Sequence, residues 1–130
     1  MVSRAVIRWA FIAAGVSGLL AVALGAFGAH ALRELLGAEM RAVFDTAGHY
    51  HLVHTVALLL AAVAPAIGLP RGPLRLACLA WSVGIVVFSG SLYLLAVTGL
   101  GWLGAITPIG GVALLLGWVA VAVGGWRARA

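Results

Sequence analysis

RLACLAWSVGIVVFSGSLYLLAVTGLGWLGAITPIGGVALLLGWVAVAVGGWR, running from Arg75 to Arg127, holds 51 consecutive uncharged residues between its two flanking arginines. A helix rising about 1.5 Å per residue crosses the hydrocarbon core of a bilayer in about 20 residues, so this stretch is long enough for two crossings. Working outward, 25 uncharged residues separate Asp45 from Arg71 and 24 separate Arg8 from Arg33, one crossing each. The pattern predicts an all-α integral membrane four-helix bundle forming one domain over residues 1–130. Its spans fall at about 7–29, 46–67, 75–98 and 107–126.

The breakers agree with that division. Gly68-Leu69-Pro70-Arg71-Gly72-Pro73 ends the second span sharply, because proline removes a donor and glycine does not hold a helix. In the long stretch the break falls around Gly99-Leu100-Gly101-Trp102. Thr107 is then expected to cap the fourth span, with Pro108 in its first turn.

Composition fits no water-soluble globule. With 65% hydrophobic and 8% charged residues and a mean hydropathy of +1.19, the chain cannot cover a compact surface with polar groups. The formal charge of +5 comes from arginines scattered at span ends, not from a continuous basic stripe, and this argues against nucleic acid as a partner. A lone cysteine, Cys78, excludes an internal disulfide and a dithiol redox couple. Arg4 and Arg8 ahead of an apolar run imitate a secretory signal, but the run far exceeds the 7–15 residues of a signal's apolar core, so an uncleaved first span is expected.

Orientation follows from arginine placement, since basic residues in short flanks are retained in the cytoplasm. One side collects Arg4, Arg8, Arg71, Arg75, Arg127 and Arg129; the other has only Arg33 and Arg41, mixed with Glu34, Glu39 and Asp45. Both termini are expected to be cytoplasmic. On the opposite side, residues 31–45 place Leu32, Leu35, Leu36, Met40, Val43 and Phe44 at helical spacing against charged neighbours. That spacing predicts a short amphipathic helix lying in the outer interface.

Small residues let membrane helices approach closely. Ala14, Gly18, Ala21, Gly25 and Gly28 in span one and Gly110, Ala113, Gly117, Ala120 and Gly124 in span four recur at three- and four-residue steps and mark candidate packing seams, against another span or another copy of the chain. In span two the corresponding small-residue line carries Tyr50 and His54, which are expected to point into the bundle.

Polar residues crowd toward the outer side: His30, Tyr50, His54, Ser89, Ser91, Tyr93 and Thr107 form the candidate cluster or ligand site. His51 and His54 are helix neighbours, and with His30 they raise a metal or haem hypothesis. It is weak. No carboxylate lies inside a span, and spans three and four offer no second axial histidine. The alternative, that His49 and His51 sit at headgroup level while His54 bonds across helices, needs no cofactor or metal. Proton-coupled export needs an intramembrane carboxylate, which is absent, and no acid–base pair or activated nucleophile stands out for an enzyme.

Four strings in order carry a resemblance over nearly the whole chain: Gly25-Ala26-Phe27-Gly28-Ala29-His30-Ala31-Leu32, Phe44-Asp45-Thr46-Ala47 with Tyr50 and His54, Phe88-Ser89-Gly90-Ser91-Leu92-Tyr93-Leu94-Leu95, and Ile106-Thr107-Pro108-Ile109-Gly110-Gly111. Together they resemble the domain of unknown function 423 family, which contains bacterial inner-membrane proteins. The resemblance implies a multi-pass protein of the bacterial cytoplasmic membrane with no activity to carry over. It also departs at His51, where family members look more like glutamine. The expected function is therefore non-enzymatic: an outer polar cluster that ties helices together and binds a lipid or a membrane-protein partner, including another copy of the chain. A small-solute carrier or channel is the alternative, and a haem or metal protein ranks below it.

Overall fold

The computed structural model describes residues 6–128; Arg4 and Arg129, two of the arginines counted toward orientation, lie outside the described residues. Among the described residues every regular element is helical. Helix α1 is Arg8–His30, and α2 is Ala38–Val63, prolonged by a 3-10 turn over Ala64–Ile67. Helix α3 (Arg71–Gly84), a π turn (Ile85–Ser89) and α4 (Gly90–Thr98) run on as one third span, and α5 is Leu103–Arg127. Four helices, Arg8–His30, Ala38–Ile67, Arg71–Thr98 and Leu103–Arg127, are thus long and apolar enough to cross a membrane.

Two glycines make the reversals possible. Gly68 (φ 93°) and Gly99 (φ 69°) adopt the left-handed conformation, which side chains with a Cβ rarely tolerate, and their amides close the preceding turns on Pro65 and Leu95 carbonyls. The connection from Gly68 to Arg71 is short because Pro70 starts the next helix and Pro73 occupies its first turn, where a missing N–H costs nothing.

The segment over 31–45 differs from the sequence expectation. Residues 31–37 form turns, and from Ala38 onward the chain is already α2, so 38–45 are the opening turns of the second span and not a separate interfacial helix. Nothing after Gly37 interrupts the helix. Leu32 and Phe44, read as part of the apolar face of that interfacial helix, pack with Ala96 and Tyr93 into a small apolar plug at this end of the bundle. The fourth span likewise begins early, at Leu103. Thr107 therefore sits inside the helix, its hydroxyl near the Leu103 carbonyl at 3.2 Å, and does not cap it.

Spans two and three form the centre. Span one packs on span two, span four packs on span three, and spans one and four share no packed interface. The span three–four seam is a set of glycine notches. Gly110 faces the Phe88 backbone, Gly117 faces the Trp81 indole and Gly84 faces the Leu114 side chain, each so closely that a Cβ would collide. Gly124 faces Pro73 at ordinary contact distance. Span one is less uniform: Gly28 lies against the Phe44 ring and Gly18 near Thr55, whereas a Cβ on Gly25 would meet nothing within 4 Å. The fully buried side chains of Ile7, Leu58, Cys78 and Trp81 fill the core toward the end where α1 begins and α5 finishes.

Candidate functional site

In a span that cannot borrow hydrogen bonds from water, each buried polar side chain needs a partner inside the protein. Among the described residues, no buried side-chain nitrogen or oxygen lacks one. Where these bonds run determines what the polar residues can do.

His51, 4% exposed, lies in α2 with its Nε2 3.0 Å from Ser17 Oγ of span one and its Nδ1 3.0 Å from the Tyr93 hydroxyl of span three. Ser17 Oγ is 2.6 Å from Thr55 Oγ1, which donates to the His51 carbonyl at 2.7 Å. A carbonyl only accepts, so one assignment of hydrogens makes all four bonds at once. Tyr93 O–H donates to Nδ1, Nε2–H donates to Ser17, Ser17 donates to Thr55, and Thr55 donates to the His51 backbone. The chain of donors ends on the residue at its own centre. It is a closed tie between three spans, not a path leading through the molecule.

His54, one turn further, is 5% exposed. Its Nδ1–H donates to the Tyr50 carbonyl at 2.7 Å, and its Nε2 accepts from the Trp118 indole N–H of span four at 3.1 Å. Trp118 packs edge-on against Trp81, whose own N–H donates to the Leu114 carbonyl at 3.2 Å. A single turn of α2 therefore bonds to all three other spans.

The remaining candidates separate. Ser89 Oγ donates to the Ala47 carbonyl at 2.8 Å, joining spans three and two, and Ser91 and Thr107 hydroxyls lie 2.7 Å apart between spans three and four. Tyr50 is 41% exposed and leans on Phe88, so it lines the surface where the sequence reading turned it inward. His30 is exposed at the last residue of α1 and joins none of these ties. The expected single outer cluster is thus four separate ties and two surface residues. Its parts are spread along the helices: His51 lies 13 residues after Ala38, about 20 Å into α2, because that helix starts well before the expected position.

Sequence reasoning placed His51 at headgroup level in its cofactor-free reading and included none of Ser17, Thr55, Trp81 and Trp118 among the candidate site residues. A serine or an indole N–H deep in an apolar run demands an acceptor, and that demand was the available signal. Both ring nitrogens of His51 are engaged by other spans and those of His54 by its own helix and by span four, and among the described residues no three His, Cys, Asp or Glu side chains are grouped to hold a metal ion.

Because span one barely touches span three, and span four barely touches span two, a lateral groove opens on each side of the central pair. The first, about 470 Å³, has apolar walls from Val16, Leu20 and Val86 over a floor of Ser17, His51 and Tyr93. The second, about 420 Å³, runs past Tyr50, His54, Pro108 and Trp118. A third recess of about 290 Å³ lies at the 31–37 end and contains Arg33, Arg41 and Asp45.

Residues 24–111 match the family described as Protein of unknown function (DUF423). The chain is 41% identical to the UPF0382 inner membrane protein YgdD of Escherichia coli K12, over 94% of this chain and 92% of that one. It is also 41% identical to a UPF0382 membrane protein of Haemophilus influenzae (88% and 90% covered) and to the UPF0382 membrane protein YwdK of Bacillus subtilis (86% and 91%). No solved structure matches the chain.

Proposed function

The chain belongs to the DUF423 family of membrane proteins, and from that premise we propose that it is a non-enzymatic, lipid-binding protein of the bacterial cytoplasmic membrane with both termini in the cytoplasm. The observation carrying this reading is the closed tie around His51 beside an open groove. Every side-chain polar hydrogen of Tyr93, His51, Ser17 and Thr55 is committed within the tie, which favours a role in holding helices together over one as acid, base or nucleophile. What stays open is the apolar trough over them, and in a bilayer an acyl chain is the solute that fills such a trough. The orientation rests on the arginine asymmetry between the two ends.

Gly90 supplies the test, because it lines the groove and a Cβ there meets nothing within 4 Å. Gly90→Leu should fill the trough without disturbing packing. Protein purified in mild detergent should then carry fewer phospholipid molecules by native mass spectrometry than the wild type does, at equal helicity. Unchanged lipid retention would overturn the reading.

A further inference from the structure

On the opposite side of span one from the lateral groove, a recess of about 290 Å³ lined by Arg33, Arg41, Phe44 and Asp45 adjoins a trough of about 270 Å³ lined by Gly25, Asp45, His49 and Leu52. Phe44 and Asp45 belong to both, so the two spaces meet. We propose that together they form a selective site for a phospholipid with an ammonium-bearing phosphodiester headgroup, of the phosphoethanolamine kind: phosphate at Arg33 and Arg41, ammonium at Asp45, and one acyl chain laid along the trough over Gly25.

Three observations converge on this assignment. The recess sits where the chain turns between the first and second spans, beside Arg33 and Asp45, the charges that bound the two apolar runs, while the trough runs along apolar α1 and α2. Among the described residues, no ion pair or hydrogen bond engages the Arg33 guanidinium, the Arg41 guanidinium or the Asp45 carboxylate, although Arg41 and Asp45 are one helical turn apart. Two guanidiniums suit a phosphate because each presents paired N–H donors, and a carboxylate beside them suits a headgroup that also carries a positive charge. A purely anionic headgroup would meet that carboxylate as a like charge. The third observation is Gly25. Gly28, one turn on, is small because the Phe44 ring lies against it, but no protein atom fills the space beside Gly25, which borders the trough. Its smallness keeps that space open for something the protein does not supply.

This deepens the lipid-binding reading and rests on it, at a site separate from the groove over His51. The test is native mass spectrometry of the full-length protein exchanged into mixed micelles holding equal phosphatidylethanolamine and phosphatidylglycerol. The wild type should retain the ethanolamine lipid several-fold more. Replacing both arginines (Arg33→Ala with Arg41→Ala) should cut its retention at least about tenfold, the factor that even one charge-assisted bond is worth. Asp45→Asn should abolish the preference between the two lipids. Gly25→Leu, which occupies free space, should reduce retention of both with circular dichroism unchanged. If the arginine pair and Gly25→Leu retain both lipids as the wild type does, this site is refuted. If Gly90→Leu alone lowers retention, the groove reading stands and this one falls. If no variant, nor the wild type, retains lipid, both fall.

Discussion

His51 and His54, one turn apart on the same helix, carry their hydrogens on opposite ring nitrogens: Nε2 in His51, where Ser17 must accept, and Nδ1 in His54, where the Tyr50 carbonyl must accept. Two identical side chains are thereby set to different tasks by their partners alone. One accepts from a phenol and donates to a hydroxyl; the other accepts from an indole. Both are expected to matter for holding the bundle together, by different chemistry.

For His51 the requirement is one donor and one acceptor at opposite ends of a planar group. A glutamine amide offers both, and glutamine is the residue that the family resemblance suggests for this position. His51→Gln is expected to stay within about 1 kcal/mol of wild type, whereas His51→Leu leaves Ser17 and Tyr93 hydroxyls without their partner and should cost about 1–3 kcal/mol. Unfolding in a fixed mixed micelle, followed by circular dichroism, measures the difference. Equal stability of the two variants would show that the tie contributes nothing.

The His54–Trp118 bond predicts a pairwise coupling. Trp118→Phe keeps most of the apolar bulk but removes the N–H, and His54→Ala removes the acceptor. A double-mutant cycle should return a coupling of about 0.6–1.7 kcal/mol, the range found for hydrogen bonds between membrane helices. Strict additivity would mean that the two rings merely lie side by side.

Charge spacing, with run length and glycines dividing the 51-residue stretch in two, made the four crossings legible, because a charge inside hydrocarbon is costly enough to be kept out of it. The same signal misled at 31–45. Glu39, Arg41 and Asp45 sit on α2 above the apolar run, and a helix continues past the hydrocarbon boundary whether or not its residues are charged. The candidate site was half legible for a related reason. Depth along the sequence was used to gather polar residues, but partnership depends on rotation about each helix axis. A shift of one residue, 100° of rotation, separates Tyr50 at the surface from His51 in the core. The π turn at Ile85–Ser89 has no sequence signature, and it lies where Phe88 crosses Gly110 and Ser89 reaches Ala47. Gly110, Gly117 and Gly124, for which the sequence left the partner open, face span three, which presents Phe88, Trp81 and Pro73 to them.

That seam gives a sharp contrast between glycines. A Cβ on Gly110 would strike the Phe88 backbone, which cannot turn aside as a flexible side chain can, while one on Gly15 meets nothing within 4 Å. Gly110→Ala is expected to destabilise by about 1–3 kcal/mol through overpacking. Gly15→Ala should be neutral or stabilising by up to about 1 kcal/mol, since alanine holds a helix better than glycine. The same unfolding measurement decides, and a neutral Gly110→Ala would mean that spans three and four separate more readily than their notches imply.

Orientation can be read from two exposed residues at opposite ends. Leu35, 76% exposed, lies in the turn between α1 and α2; Ile67, 82% exposed, lies in the 3-10 turn ahead of α3. The native thiol of Cys78 is fully buried and is removed as Cys78→Ala to leave a silent background. In that background a cysteine placed by Leu35→Cys should react with a membrane-impermeant maleimide in intact spheroplasts. One placed by Ile67→Cys should react only after the membrane is opened. The arginines at the Ile67 end, Arg8, Arg71, Arg75 and Arg127, outnumber Arg33 and Arg41 at the other, and retention of basic flanks in the cytoplasm is what ties the count to the labelling pattern. The reverse pattern would invert the topology and move the Arg33–Arg41 recess to the cytoplasmic leaflet. Labelling of both sites in intact spheroplasts would mean that the chain inserts both ways, against the bias of its own charges.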